Sequence, residues 1–431
     1  MADTVDTPWG PADTLPGQRL RPGPGIPRDL VERNHRERLF GAMVAVVDEH
    51  GYDGMSVGEL AARAGVSRST IYEYFDDRDG CFLATFDALT AAAMERIDAA
   101  SADGDGSSWD EWLRAVLEAL IAIVVEQPAA ARLCLLEVYA AGPAAAERRE
   151  RAAATIEALA RRGMERSPER ADMPPEVVRA IVGGLRTVIQ RRLRDGREQE
   201  LPGLAEELWQ WVVSYRRPDP PLREATAAPA RRLRRPEPVD TLERLFESVA
   251  RVVSDKGYAE MTVGDVVADA AMSLSTFYSH FPSKEAAFLA ACEASVDDTI
   301  ETGLRTFREH EGDWPERVHA GLRDLLDYLA RRPEWTHMTT IELFGAGGRG
   351  QGRRDHNMDL FVGKLAPGEE LLSGNVPIAL EATGGALYTL FYSQIADKGA
   401  ARLREILPTA TFVALAPFVG NGAAAEIANR D

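Results

Sequence analysis

Apolar residues recur along this chain at helical spacing. Leu39, Met43, Val46 and Val47 fall on one face of a helix, as do Leu113, Val116, Leu117, Leu120 and Ile121. No alternation of apolar and polar residues bounded by turns is long enough to predict a strand, so the pattern predicts an all-α protein. Two stretches lack any apolar period. Residues 1–27 are rich in Pro and Gly (Trp9-Gly10-Pro11, then Arg21-Pro22-Gly23-Pro24-Gly25) and read as disordered. Residues 216–238 combine prolines that forbid a continuous helix with seven arginines and three acidic residues, and read as a linker.

That linker separates two versions of one unit. Arg38-Leu39-Phe40 recurs as Arg244-Leu245-Phe246, and Gly51-Tyr52 as Gly257-Tyr258. Ser67-Arg68-Ser69-Thr70-Ile71-Tyr72 recurs as Ser273-Leu274-Ser275-Thr276-Phe277-Tyr278. At this offset about 18 of the 45 positions from Arg38 to Phe82 match without a gap, far above chance. The correspondence continues through Trp109 with Trp314, Pro128 with Pro333, Glu137 with Glu342, and Gly183-Gly184 with Gly384-Gly385. A whole unit has been duplicated, so one chain can hold what two subunits normally supply.

Each unit contains a helix-turn-helix pattern. Ser56-Val57-Gly58-Glu59 is a capping box, in which the serine hydroxyl serves orphan amides and the glutamate reaches back. Leu60, Ala61 and Ala64 supply a narrow apolar stripe, Gly65 suits a turn with positive φ, and Val66 plugs the gap between helices. Ser67 then caps a second short helix that exposes Arg68, Ser69, Thr70, Tyr72 and Tyr74 around buried Ile71 and Phe75. Small hydroxylated residues let a helix approach DNA closely, while Arg and Tyr reach base edges and phosphates. The bland counterpart is that the serines only cap helices and the tyrosines only pack.

The run Ala61-Ala62-Arg63-Ala64-Gly65-Val66-Ser67-Arg68-Ser69-Thr70-Ile71-Tyr72-Glu73-Tyr74-Phe75 resembles the DNA-binding signature of TetR-family transcriptional regulators. Ser275-Thr276-Phe277-Tyr278-Ser279-His280-Phe281-Pro282-Ser283-Lys284-Glu285 matches the same signature. The resemblance implies two TetR-like units, each with a three-helix DNA-binding domain (28–82 and 239–288). A larger helical domain (83–215 and 289–431) follows each, dimerises and binds a small molecule. Ligand arrival in such proteins moves the recognition helices apart and frees the operator. Carried over by position, the implied DNA contacts are Ser56, Ser67, Arg68, Ser69, Thr70, Tyr72, Tyr74 and Arg78 in the first unit. In the second they are Thr262, Ser273, Leu274, Ser275, Thr276, Tyr278, His280 and Lys284. The implied four-helix interface joins Val177–Arg194 and Leu204–Tyr215 to Ile378–Asp397 and Thr409–Phe418. Formed within one chain it gives an intrachain pseudo-dimer; a homodimer of tandem chains is the competing arrangement.

Charge complicates this picture. The chain carries a formal net charge of −18, and residues 28–82 hold seven basic and eleven acidic side chains. That balance predicts weak non-specific affinity for DNA. The second unit departs further: Ala271-Met272 replaces Gly65-Val66, putting a Cβ into the turn, and Leu274 replaces Arg68. An apolar group there suits a thymine methyl rather than guanine. The alternative function is therefore a ligand-binding or protein-interaction scaffold of the same fold, with DNA binding weakened or lost in one or both units. Arg231, Arg232, Arg234 and Arg235 can offset the deficit as an arm entering a minor groove, or serve as a solvated tether.

Other chemistry is sparse. The seven histidines lack metal-ligand spacing, and no nucleophile elbow, phosphate loop or redox pair occurs, so neither an enzyme, a metal nor a cofactor is expected. The run Gly345-Ala346-Gly347-Gly348-Arg349-Gly350 lacks a following Gly-Lys-Ser/Thr and reads as a loop. Cys81, Cys134 and Cys292 sit far apart in apolar surroundings and read as buried reduced thiols. No apolar run approaches the roughly 18 residues needed to cross a bilayer, and no signal pattern opens the chain, so a cytoplasmic protein is expected. Trp335, His337, Met338, Phe344, Tyr388 and Tyr392 are candidates to line a cavity for a small hydrophobic effector, or else form plain core.

Overall fold

The computed structural model describes residues 4–20, 26–102, 108–224, 240–343, 350, 352 and 376–430. They divide into two compact units, Met1–Leu159 with Ile189–Glu206, and Ala160–Val188 with Glu207–Asp431. Among the described residues no single helix is long and apolar enough to cross a membrane.

The first unit opens with an ordered strap where disorder was expected. Residues Asp6–Thr7 (β1) and Gly10–Pro11 (β2) pair antiparallel, and a 3-10 turn follows at Leu15–Gln18. Leu15 is fully buried over Gly41, where an added Cβ would fall 2.9 Å from Leu15 Cδ1. Trp9 packs on Phe40 with ring centroids 5.3 Å apart, and Asn34 Nδ2 donates to the Gln18 carbonyl. Composition pointed to disorder because prolines and glycines dominate; what it missed is that Val5, Trp9, Ala12 and Leu15 pack into the neighbouring core.

Helices α1 (Arg28–Gly54), α2 (Val57–Ala64) and α3 (Arg68–Tyr74) form the first three-helix head. Leu39, Met43, Val46, Leu60, Ala64, Ile71 and Phe82 close its core, as the apolar stripe predicts. Buried Arg38 holds the turn, its Nε and Nη2 donating to the Ala64 carbonyl at 3.0 and 2.7 Å and Nη2 to the Gly65 carbonyl at 2.9 Å. These carbonyls end α2 without helical partners, so the guanidinium satisfies groups that would otherwise be orphaned.

Behind the head lie α4 (Arg78–Ala102), α5 (Trp109–Glu126), α6 (Pro128–Leu135) and α7 (Gly142–Met164). Ser108 and Glu111 form a reciprocal capping box at the start of α5. After them come α8 (Pro175–Arg194) and α9 (Leu201–Val213). Burial pushes the Cys81 thiol up to about 12, leaving an inert structural cysteine.

The second unit repeats the plan. Its head is α10 (Thr241–Lys256), α11 (Val263–Asp269) and α12 (Leu274–His280), around Leu245, Val249, Val253, Val266, Phe277 and Phe288. Behind it stand α13 (Lys284–Glu309), α14 (Trp314–Ala330), α15 (Pro333–Thr340), α16 (Val376–Lys398), α17 (Leu407–Val419) and α18 (Asn421–Ala428). The four helices expected to pair appear as α8, α9, α16 and α17, within three residues of their expected ends.

Their contacts lie inside the second unit and exchange roles between repeats. An added Cβ on Gly183 would fall 2.1 Å from Thr389 Oγ1, and one on Gly385 2.4 Å from Thr187 Oγ1. Trp211 Nε1 donates to Thr383 Oγ1 at 3.1 Å, and Tyr215 OH to the Val413 carbonyl at 2.9 Å. The supposed linker is also engaged at its start. Asn421 Oδ1 accepts from the Arg216 amide, Asn421 Nδ2 donates to the Ser214 carbonyl, and Asn429 Oδ1 accepts from the Arg223 amide. Arg231, Arg232, Arg234 and Arg235 lie outside the described residues.

Candidate nucleic-acid interface

The two short second helices are held alike. Ser67 Oγ accepts from the Thr70 amide at 3.1 Å, and Ser273 Oγ from the Thr276 amide at the same distance. Ser67 Oγ also lies 2.7 Å from Ser69 Oγ and 2.8 Å from Thr70 Oγ1, while Ser273 Oγ lies 2.9 Å from Thr276 Oγ1. These hydroxyls thus cap and face outward at once. The helices before them start at Ser56 and Thr262, whose side-chain oxygens accept from the Glu59 and Asp265 amides.

One face of each helix packs and the other meets solvent. Ile71 and Phe277 are fully buried, whereas Tyr72 and Tyr278 are each 56% exposed. Ser56, Ser67, Arg68, Ser69, Thr262, Ser273, Ser275 and His280 are exposed; Thr70 and Thr276 are half-buried; Leu274 is 53% exposed. The guanidinium of Arg68 folds over the first turn of α2, where an added Cβ on Gly58 would fall 2.5 Å from Nη2.

The turns answer the question raised by Ala271. Gly65 adopts φ 63° and Ala271 φ 52°, and in both the next residue closes the turn: Val66 N to Ala61 O at 3.0 Å, Met272 N to Val267 O at 2.9 Å. The second head keeps the same left-handed turn and carries the strain of a Cβ in it.

Three expected contacts have structural tasks instead. Lys284 Nζ donates to the carbonyls of Tyr258, Ala259 and Met261 at 3.0 to 3.2 Å, which uses all three of its N–H groups. Arg78 Nη1 likewise donates to the Met55 carbonyl at 2.8 Å. Each cation also sits over a tyrosine ring, Arg78 on Tyr52 and Lys284 on Tyr258. Tyr74 is half-buried with its hydroxyl 3.0 Å from His35 Nδ1. The signature gave the position of these residues but not the fact that their polar ends turn inward.

Sequence reasoning attached no role to a second pair. The Tyr52 amide donates to Glu137 Oε2 at 2.8 Å, and the Tyr258 amide to Glu342 Oε2 at 2.8 Å. Each bond ties a reading head to the helical layer behind it, just after a glycine with φ 70° (Gly51) or 81° (Gly257). The identity of Glu137 and Glu342 across the repeats was the available signal.

The remaining candidates are dispersed. Trp335 and Met338 belong to the packed core of the second head, with Trp335 Nε1 donating to Glu247 Oε2. His337 Nε2 lies 3.4 Å from Glu342 Oε1, and Tyr388 OH donates to the Thr340 carbonyl. Tyr392 is half-buried, and Phe344 lies outside the described residues, as does most of the glycine run after it. A small apolar cavity is lined by Trp314, Val318, Leu322, Leu380, Thr383, Leu387, Ala414 and Phe418, none of the six expected residues. Glu49, His50 and Glu59 come together at the surface, but Arg63 grips Glu49 at 2.8 and 2.6 Å. At the corresponding place in the second head Lys256 pairs with Asp265 and, with Thr262, holds its carboxyl down at about 2. A lysine there marks the position as an ion pair.

Sequence comparisons agree with this geometry. The family profile described as "Bacterial regulatory proteins, tetR family" matches residues 41–85 and 245–291. The nucleoid occlusion factor SlmA of Idiomarina loihiensis is 31% identical over 120 residues, 28% of this chain and 59% of that protein. The uncharacterized HTH-type transcriptional regulator YerO of Bacillus subtilis is 39% identical over 76 residues, 18% of this chain and 26% of its own. The HTH-type transcriptional regulator BetI of Stenotrophomonas maltophilia is 30% identical over 93 residues, 22% and 47% of the two chains. The chain thus spans less than two thirds of the length of each of these relatives. The chain thus carries two helix-turn-helix domains, each similar to the DNA-binding domain of tetR-family regulators, at residues 41–85 and 245–291.

Proposed function

We propose that the chain represses transcription by binding a double-stranded operator through α3 and α12, and that a small hydrophobic effector releases it. The observation that carries this reading is the pair of matched, exposed faces: Ser67, Ser69, Thr70 and Tyr72 on one head, Ser273, Ser275, Thr276 and Tyr278 on the other. Small hydroxylated side chains admit close approach to a groove, and a phenol at the rim donates to phosphate. Arg68, Leu274 and His280 add base-directed groups. Ser56 and Thr262 add exposed hydroxyls at the starts of α2 and α11. The α8/α9 and α16/α17 contacts supply the family's interface within one chain, an intrachain pseudo-dimer. The Glu137–Tyr52 and Glu342–Tyr258 bonds are the natural couplings through which an effector in the helical layer would move a head.

The test is a gel shift on the DNA upstream of the chain's own gene, with and without Tyr72→Phe and Tyr278→Phe together. Binding that the double variant loses supports the reading. Absence of binding even at low salt favours the scaffold, for which the acidic heads and the inward-turned Lys284 are the specific support.

A further inference from the structure

The two heads share a backbone and differ in what they present. Their turns, caps and packed residues superimpose in kind, as do Ser67 with Ser273, Ser69 with Ser275, Thr70 with Thr276 and Tyr72 with Tyr278. At the first position of each second helix the chemistry reverses. Arg68 offers a forked cation able to donate two hydrogen bonds, and its guanidinium covers Gly58. Leu274 offers four apolar carbons, 53% exposed, and leaves the corresponding Gly264 uncovered: an added Cβ there would meet only Thr262 Oγ1, at 3.6 Å. It is an exposed leucine in the middle of a hydroxylated reading face. Its neighbours Ser275, Thr276 and Tyr278 are the same groups that flank Arg68, so the surface that covers Leu274 is the same kind of surface that Arg68 meets. On duplex DNA the apolar group at that depth is the thymine methyl, and the group a forked cation recognises is the O6/N7 edge of guanine.

We propose that the operator is directional: the half-site under α3 carries a guanine opposite Arg68, and the half-site under α12 carries a thymine whose methyl covers Leu274. This deepens the operator-binding reading and rests on it. Identical subunits cannot make such a distinction, because each substitution would appear in both heads. One chain carrying both heads can.

Selection of binding sites from random duplexes by the full chain tests the proposal. The expected result is two half-sites that differ at the base pair under Arg68 and Leu274, guanine in one and thymine in the other. Arg68→Leu should convert the first half-site to the second type, and Leu274→Arg the reverse. A chemical probe keeps the test independent of folding. Replacing that one thymine by uracil removes only the methyl and should weaken the unmodified protein about fourfold, with no such loss for Leu274→Ala. Two identical half-sites, or equal binding of thymine and uracil duplexes, would overturn the directional operator while leaving DNA binding intact. No enriched sequence at all would overturn both.

Discussion

Gly183 faces Thr389 so closely that no side chain fits between them, and Gly385 faces Thr187 in the same way. The two contacts exchange glycine and threonine between the repeats, as a two-fold axis would require of identical subunits. Gly183→Ala and Gly385→Ala should each destabilise the second unit by about 1–3 kcal/mol, as overpacking does. Gly203→Ala, on α9 with open space around it, should be neutral or stabilising by up to about 1 kcal/mol. Thermal unfolding of the three variants decides. Equal melting temperatures for all three would mean that α8 and α16 do not pack as described.

The turn of the second head carries avoidable strain. Ala271→Gly should stabilise that head by about 1 kcal/mol, since glycine occupies φ 52° without a Cβ clash. Gly65→Ala should destabilise the first head by more than that, because the new Cβ would also lie 2.8 Å from Pro16 Cα. Denaturant midpoints of the two variants should therefore move in opposite directions.

The N-terminal strap is part of the first head. Leu15→Ala removes a fully buried side chain and should cost about 2–5 kcal/mol of that head's stability. Amide exchange in α1 should rise while that in α10 stays unchanged; a mutant indistinguishable from the parent would return the strap to the status of a tail.

Glu137 and Glu342 hold equivalent bonds and respond oppositely to acid. Burial, reinforced by Asp53 and Asp48, holds the Glu137 carboxyl above the usual carboxylate range in spite of the Tyr52 amide. Burial would raise Glu342 too, but the neighbouring His337 and the Tyr258 amide outweigh it and hold this carboxyl below its ordinary value. A depressed acid contributes stability above its ordinary value near 4.5 and loses it as pH falls through the depressed one. A raised acid contributes stability at low pH and loses it as pH climbs through the raised value. On acidification the Tyr258 amide should lose exchange protection while the Tyr52 amide keeps or gains it. Protection that changes in parallel would contradict the assignment.

Much of this was legible beforehand because it follows from periodicity and from the duplication. The apolar stripe Leu39-Met43-Val46 became the wall of the first core, and the glycine pairs marked the close crossing of α8 and α16. What stayed hidden depends on where a long side chain ends. Lys284 sits at the signature's phosphate-contact position, yet its ammonium turns back to three carbonyls. Residues 4–20 look like a tail by composition, and only the location of the groove for Leu15 says otherwise. The aromatic residues around Trp335 were legible as apolar but not as members of the head's core, since burial partners come from helices nearly a hundred residues away.

The pairing of Trp211 with Thr383 and of Tyr215 with Val413 joins the last helix of the first repeat to helices near the end of the second. Partners on one tether need no second molecule to find each other, so their assembly survives any dilution. A regulator present in a handful of copies per cell would, as separate subunits, spend time apart and leave its target uncovered. In the intrachain pseudo-dimer proposed above, even a single translated copy would carry both halves of that interface.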